Sequence, residues 1–382
     1  MNKEKCIVCN SGKIMPIIKI AGMPTFCNVL LSSKEQALNV VKGDLDMFFC
    51  MNCGHVFNNA FDYSILSYSE DYDNTLHYSP KFQAFAEKLV DHLIETYNLK
   101  GKNIIDIGCG KGDFLNLICK LGENHGIGFD ASYQKERSEE NPNVRFVKDF
   151  FNDKYADLPV DLVSCRHVLE HIEDPKEFLL GIIKAVGKNN PIFYIEVPNA
   201  LYTIKDMGIW DLIYEHVSYF TKESIQYLFN SCGLKILDIS EDFGGQYLLV
   251  EAAIGKAKEN KADTEQLRLL IDKFSSDYVK KKDYWKKFIE DNEGKRIVVW
   301  GAGSKGVTFL NILEDKKAIE YIVDLNPHKC GKYVPGAGTK VIAPEFLKEY
   351  KPDIVILMNA LYEEEVRKKL TSLGLESEIV LG

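Results

Sequence analysis

From about residue 79 onward the apolar positions of this chain alternate between two rhythms. Over 82–97 the apolar residues 82, 85, 89, 93 and 94 recur at helical spacing, which predicts one buried face of an amphipathic helix. Short apolar runs follow at 103–107, 126–129, 144–147, 160–165 and 193–199, with helix-length stretches between most of them. Runs of that length suit strands covered on both faces, so residues 76–255 are expected to form an α/β domain around a parallel sheet. Between 255 and 295 lysine and glutamate dominate, yet apolar residues at 267, 271, 274, 278, 285 and 288 keep one stripe. That stripe predicts a connecting helix within 256–295 rather than a disordered tail. Residues 296–382 repeat the strand, glycine turn, helix, strand order on a smaller scale.

A chain of 382 residues is too long for one ordinary core and suits two to three domains. Its 46% hydrophobic and 27% charged residues are those of a soluble globular protein, and no apolar run reaches the length of a membrane span. The opening Met-Asn-Lys-Glu-Lys-Cys has no apolar segment, so a cytoplasmic location is expected. A net charge of −9 disfavours attachment to phosphate backbones, so neither nucleic acid nor membrane is expected as a partner.

The ten cysteines do not suggest a disulfide framework in a chain of this size. Four of them form two Cys-x-x-Cys knuckles, Cys6/Cys9 and Cys50/Cys53, with forty residues between Cys9 and Cys50. Two knuckles offer the four thiolates of a closed tetrahedral Zn²⁺ site, which would fold an N-terminal domain over 1–75 and leave no open position for chemistry.

The strongest local signal is Ile-Ile-Asp-Ile-Gly-Cys-Gly-Lys-Gly at 104–112, followed by Asp130 at the end of the next apolar run. Glycines at 108, 110 and 112 let backbone approach a ligand, and an acidic residue at the next strand tip can accept from ribose hydroxyls. The spacing is Gly-x-Gly-x-Gly, and with Asp106 before it the pattern resembles motif I of class I S-adenosylmethionine-dependent methyltransferases. Asp149 and Phe150 fit an adenine contact and stack. The run from Arg166 and His167 through Glu170, His171 and Pro175 resembles the segment that lines the methyl end of the cofactor in that class. The competing reading is a dinucleotide-binding dehydrogenase, whose third glycine would lie one position later.

Farther on, His216 is the candidate general base, since an imidazole titrates near neutral pH, and Glu215 is a candidate to orient it. Near the C-terminus Gly301-Ala-Gly303-Ser-Lys-Gly306 follows an apolar strand, with Asp324 eighteen positions after Gly306. Alone this reads as a dinucleotide fingerprint and an NAD(P)-dependent oxidoreductase. Only 87 residues remain from Arg296, so we read it as a reduced Rossmann-like fold that could hold a pyrophosphate.

Zinc knuckles, a motif I domain and a terminal Gly-Ala-Gly-Ser-Lys-Gly unit, in that order, resemble the three-part sugar C-methyltransferases of deoxysugar biosynthesis. The likeness includes Tyr68 to Tyr72, Glu215-His216 with Ser218-Tyr219-Phe220, the Gly244-Gly245 turn, Asp324-x-Asn326-Pro327-x-Lys329 and Pro335-Gly336. The resemblance implies a nucleotide-linked keto sugar as substrate, S-adenosylmethionine as methyl donor, structural zinc, and His216 removing the proton beside the ketone. It places Tyr72 or Tyr78 opposite the base. The family commonly has Tyr-x-Glu-His, whereas here Ile213 holds the tyrosine's place and Tyr214 follows one position late, a turn of about 100° on a helix. O- or N-methylation on the same scaffold therefore stays an alternative. So does a non-enzymatic zinc-anchored module. A monomer or homodimer making surface polysaccharide or a secondary metabolite is expected.

Overall fold

The computed structural model describes residues 4–66, 75–135, 141–256, 262–313 and 318–382. In the N-terminal part, β1 (Ile14–Pro24) and β2 (Lys42–Cys50) pair antiparallel, with the short helix α1 (Lys34–Leu38) between them, and β3 (Val56–Asn58) joins β2. This pairing explains the forty-residue gap between the knuckles. Ile14 is registered opposite Cys50, so the turn carrying Cys6 and Cys9 returns to the one carrying Cys50 and Cys53. The fourth strand of this sheet is borrowed: Ser218–Tyr219 pairs antiparallel with Val56 and Phe57.

The central domain opens with α2 (Pro80–Tyr97). Ser79 caps it by accepting from the Phe82 N–H, Pro80 sits where its missing N–H costs nothing, and Asn98 ends it in the left-handed region. Its buried stripe, which includes Phe82, Phe85, Leu89, Leu93 and Ile94, is the predicted one. The strands are β4 (Asn103–Ile107), β5 (His125–Phe129), β6 (Val144–Val147), β7 (Leu162–Arg166) and β8 (Ile192–Pro198). After the borrowed β9 (Ser218–Tyr219) come β10 (Leu234–Asp242) and β11 (Tyr247–Ile254). The sheet order is β10-β11-β8-β7-β4-β5-β6; β4 to β8 run parallel and β11 is reversed between β8 and β10. This is the class I methyltransferase α/β fold. The helices α3 (Asp113–Gly122), α4 (Pro175–Val186), α5 (Ala200–Lys205) and α6 (Lys222–Ser231) connect the strands. The carboxyl ends of β4, β5, β7 and β8 share one edge, where doubly wound sheets place ligands.

The connecting helix is α7 (Glu265–Asp291), and it is more than a spacer. Leu267, Ile271, Phe274 and Tyr278 share one apolar core with Ile17 and Ile20 of β1, and Ser275 Oγ donates to the Ile17 carbonyl at 2.6 Å. Farther along, Trp285 meets Trp210 and Phe309 edge-on at 6.4 and 5.0 Å. Each such fully buried side chain contributes roughly 1.5–3 kcal/mol, so α7 fastens the first and last thirds of the chain together. The C-terminal unit contains β12 (Ile297–Trp300), α8 (Ser304–Ile312), β13 (Ile319–Val323), β14 (Lys340–Ile342), α9 (Leu347–Tyr350), β15 (Ile354–Leu357), α10 (Glu363–Ser372) and β16 (Glu378–Leu381). Its strands are all parallel, in the order β14-β13-β12-β15-β16. Among the described residues no helix is long and apolar enough to cross a membrane.

Candidate active site

The glycine turn leaves β4 and enters α3 with positive φ at Gly108, Gly110 and Gly112. At Gly108 a Cβ would stand 2.2 Å from Val168 Cγ2, so the approach of the β7 loop requires glycine there. Asp130 spans this turn: one carboxylate oxygen accepts from Gly110 N–H at 2.9 Å and the other from Ser132 N–H at 2.7 Å. Asp106 is 3% exposed and accepts from Ser164 Oγ at 2.7 Å; burial pushes its carboxyl up to about 7 despite that bond and the Arg166 charge. Phe150 is 66% exposed, its ring open to a stacking partner, while Asp149 is held by Lys154 and by Tyr155 Oη at 2.9 Å. The turn, Asp130, Asp149 and Phe150 thus lie at the carboxyl ends of β4, β5 and β6, with the carboxylate acceptors and the open ring that would suit an adenosyl group.

Arg166 and His167, grouped together from the sequence, point to different tasks. Arg166 turns into the domain, where its guanidinium bonds both oxygens of Glu196 at 3.1 and 2.9 Å and lies 4.4 Å from the Phe114 ring centre. His167 adopts φ of 53° and lies 2.8 Å from Glu196 Oε1, an ionic contact rather than a well-aligned hydrogen bond. Burial disfavours its charged form, but Glu170 and Glu196 outweigh that and raise it to about 9. His167 therefore brings positive charge to the wall of a cavity.

His216 faces the same cavity, edge-on to His171 at 4.7 Å and to Tyr219 at 5.8 Å. Burial, with His171 and His167 adding to it, lowers the His216 pKa well below 6.5, so the ring is neutral and able to accept a proton. Glu215 does not orient it. Its carboxylate is fully buried on the opposite side and accepts from Cys27 N–H at 2.6 Å, while its backbone carbonyl lies 3.0 Å from His171 Nδ1. Tyr214 also leaves the cavity: it stacks on Phe61 at 5.6 Å and its hydroxyl accepts from Asp62 N–H at 2.9 Å. The one-residue offset seen in the sequence has this consequence, because adjacent side chains on a turn cannot face the same way. Tyr78 lines the cavity, and Tyr72 lies outside the described residues.

The cavity has a volume of about 740 Å³ and joins two domains. One end holds His167, Glu170, His171 and His216; the other holds the loop Gly301 to Gly306, Lys305 and Asp324. The two glycine loops use one device. As Asp130 accepts from Gly110, Asp324 accepts from Ala302 N–H at 2.9 Å. Lys305 pairs with Asp211 of the central domain, Lys329 with Asp324, Lys368 with Glu364 and Lys369 with Glu345, so the lysines around this end are each held by a carboxylate. The glycine turn at 108–112 does not line this cavity.

In the N-terminal domain Cys6 Sγ and Cys53 Sγ are 3.7 Å apart, and Cys9 Sγ and Cys50 Sγ 3.5 Å. Four sulfurs about 2.3 Å from one tetrahedral ion would be separated by about 3.8 Å, so the donor set and spacing fit Zn²⁺. Sequence reasoning gave no role to Glu196, which orders Arg166 and His167 from a strand thirty residues on, or to Gln246. The Glu170 and His171 pair was visible only as part of a motif.

With this geometry in hand, comparison with known proteins is informative. Residues 79–239 match the family described as a methyltransferase domain, and residues 250–377 the family described as the C-methyltransferase C-terminal domain. The C-methyltransferase NovU of Streptomyces niveus is 23% identical over 394 aligned positions, covering 95% of this chain and 91% of NovU. The mitochondrial ubiquinone biosynthesis O-methyltransferase of Dictyostelium discoideum is 28% identical over 112 positions, only 25% of this chain and 35% of its own length. Among solved structures, the magnesium protoporphyrin IX methyltransferase of Synechocystis PCC 6803 is 18% identical, covers 45% of this chain and 83% of its own, and has a TM-score of 0.34. The chain is an S-adenosylmethionine-dependent methyltransferase. Over nearly its whole length it resembles a C-methyltransferase.

Proposed function

We propose that this enzyme methylates a carbon of a nucleotide-linked keto sugar, with His216 as the general base and a structural Zn²⁺ on Cys6, Cys9, Cys50 and Cys53. Bound S-adenosylmethionine would supply an electrophilic methyl group on a sulfonium. The glycine turn, Asp130, Asp149 and Phe150 would hold its nucleoside and methionine parts. His216 takes the proton from the carbon beside the ketone, and the electron pair of that C–H bond passes through the enolate to the new C–CH₃ bond, while the pair of the broken S–CH₃ bond would stay on sulfur as a neutral thioether. His167, positive and at the same wall, is placed to favour negative charge developing on the ketone oxygen.

The observation that carries this reading is the span of the cavity. A neutral imidazole stands at one end and a glycine loop with lysines at the other, and 740 Å³ is in the range that ligand pockets of this kind occupy. That arrangement suits a sugar at His216 joined through a diphosphate to a nucleoside between the domains. In D₂O with a nucleotide-linked keto sugar and no methyl donor, the enzyme is expected to exchange the proton beside the ketone, and His216→Ala to abolish exchange.

A second reading follows from Tyr214, whose hydroxyl is committed to Asp62. Without a tyrosine from that segment at the ketone, a hydroxyl or amine acceptor needs only the base. Methylated product without exchange would select this reading over carbon methylation.

A further inference from the structure

The corner of the cavity around His216 also holds Glu170 and His171, to which the proposed methyl transfer gives no step. Glu170 and His171 share the single 3-10 turn Leu169–His171 that follows β7, and His216 approaches from the segment before β9. One carboxylate oxygen of Glu170 and one ring nitrogen of each histidine lie within 4.8 Å of one another. Ligands held about 2.1 Å from a shared tetrahedral ion stand about 3.4 Å apart, so modest side-chain rotations would bring these three to one centre.

Two further observations point to a cation. Glu170 is 1% exposed, its Oε1 is 3.6 Å from His167 Nδ1, and its Oε2 has no hydrogen-bond partner among the described residues. A buried carboxylate oxygen left in that state is costly unless a donor or a metal completes it. His171 is oriented as metal-binding histidines are. Its Nδ1 lies 3.0 Å from the Glu215 carbonyl, a bond that needs the proton on Nδ1 and leaves the ring's lone pair on Nε2. Two imidazoles and one carboxylate form a donor set for Zn²⁺, Co²⁺, Ni²⁺ or Fe²⁺ rather than for Mg²⁺ or Ca²⁺. Unlike the four-cysteine site, three protein ligands beside a cavity leave a coordination position open.

We propose that Glu170, His171 and His216 form a second metal site, for a divalent transition ion, whose occupation is incompatible with proton removal by His216. The lone pair that would accept the proton is the one that binds the metal. Metal binding stands on the geometry alone; the incompatibility rests on the reading of His216 as base.

The test titrates Co²⁺ into the full chain after one equivalent of Zn²⁺ has filled the cysteine site. One further Co²⁺ should bind, giving visible ligand-field bands without the near-ultraviolet charge transfer of cobalt thiolates. Glu170→Gln and His171→Ala should each weaken that binding at least ~10-fold with circular dichroism unchanged. Should His171→Ala not fold, the near-isosteric Glu170→Gln carries the comparison. No new bands at millimolar Co²⁺, or bands unaffected by the substitutions, overturn the site. In the methyltransfer assay Co²⁺ should inhibit at the concentration that half-fills the bands, shifted ~10-fold upward in Glu170→Gln. Faster turnover with Co²⁺ overturns the incompatibility. Full turnover by His216→Ala would instead remove the base reading and leave the spectroscopic result standing.

Discussion

The side-chain amides of Gln246 and Asn359 hydrogen-bond to each other twice, Gln246 Nε2 to Asn359 Oδ1 at 3.1 Å and Asn359 Nδ2 to Gln246 Oε1 at 3.0 Å. Gln246 precedes β11 of the central sheet and Asn359 follows β15 of the C-terminal sheet, so the pair closes the seam beside the cavity. Glu365 of α10 reinforces it by accepting from Lys81 N–H at 2.8 Å and from Ser79 Oγ at the start of α2. Gly244 packs against Leu361 across this seam, a Cβ there standing 2.7 Å from Leu361 Cδ2, and its φ of 67° favours glycine.

If this seam shapes the far end of the cavity, loosening it should weaken substrate capture more than chemistry. Gln246→Ala and Asn359→Ala are each expected to raise KM for the proposed nucleotide-linked substrate several-fold with a smaller change in kcat. A double-mutant cycle on thermal stability should give a coupling of about 1 kcal/mol, and strict additivity would show that the amides act separately.

The buried carboxyl of Asp106 costs the folded chain stability once it is ionised. Its folded-state pKa near 7 lies above the usual carboxylate value, so the folded chain holds this proton more tightly than the unfolded one. The cost of ionising it is absent below about pH 4, grows between pH 4 and 7, and is complete above that range. Asp106→Asn without cofactor should therefore be more stable than the parent at pH 8, by on the order of a few kcal/mol, and similar to it near pH 4. Calorimetry should show at least ~10-fold weaker S-adenosylmethionine binding, as loss of a charged partner implies.

Tyr214 is expected to act on the fold alone. Tyr214→Phe leaves the Asp62 N–H without its acceptor, for a loss of about 1 kcal/mol in denaturant unfolding. Its kcat should stay within about twofold of the parent. A fall of several orders of magnitude would return this tyrosine to the chemistry.

Because Val56 and Phe57 pair with the strand two residues beyond His216, the cysteine cluster and His216 are mechanically joined. Chelation of the Zn²⁺ proposed for this cluster, or Cys53→Ser, is expected to lower the melting temperature and turnover together, with losses in kcat of at least ~5-fold. Activity that survives verified metal removal would separate the two.

Much of this architecture is legible in local sequence. The glycine turns at 108–112 and 301–306, the helix spacing of 82–97 and of the stripe beginning at 267, and the paired cysteines each express constraints that act within a few residues. Backbone geometry and periodic burial act at that range, so the elements follow from them. The site is legible only in part. His216 was readable as a candidate base because imidazole chemistry is intrinsic to the residue, whereas its neighbours are set from elsewhere in the chain.

What the sequence alone determined is therefore the class I sheet, a second glycine-loop unit and the cysteine knuckles. Tertiary structure decided that β9 completes the N-terminal sheet, that Glu215 and Tyr214 turn to Cys27 and Asp62, and that Glu196 holds Arg166 and His167. It also decided that one cavity runs from His216 to Gly301. These relations join residues far apart in the chain, and they depend on register and on how helices seat against sheets. No local spacing encodes either one.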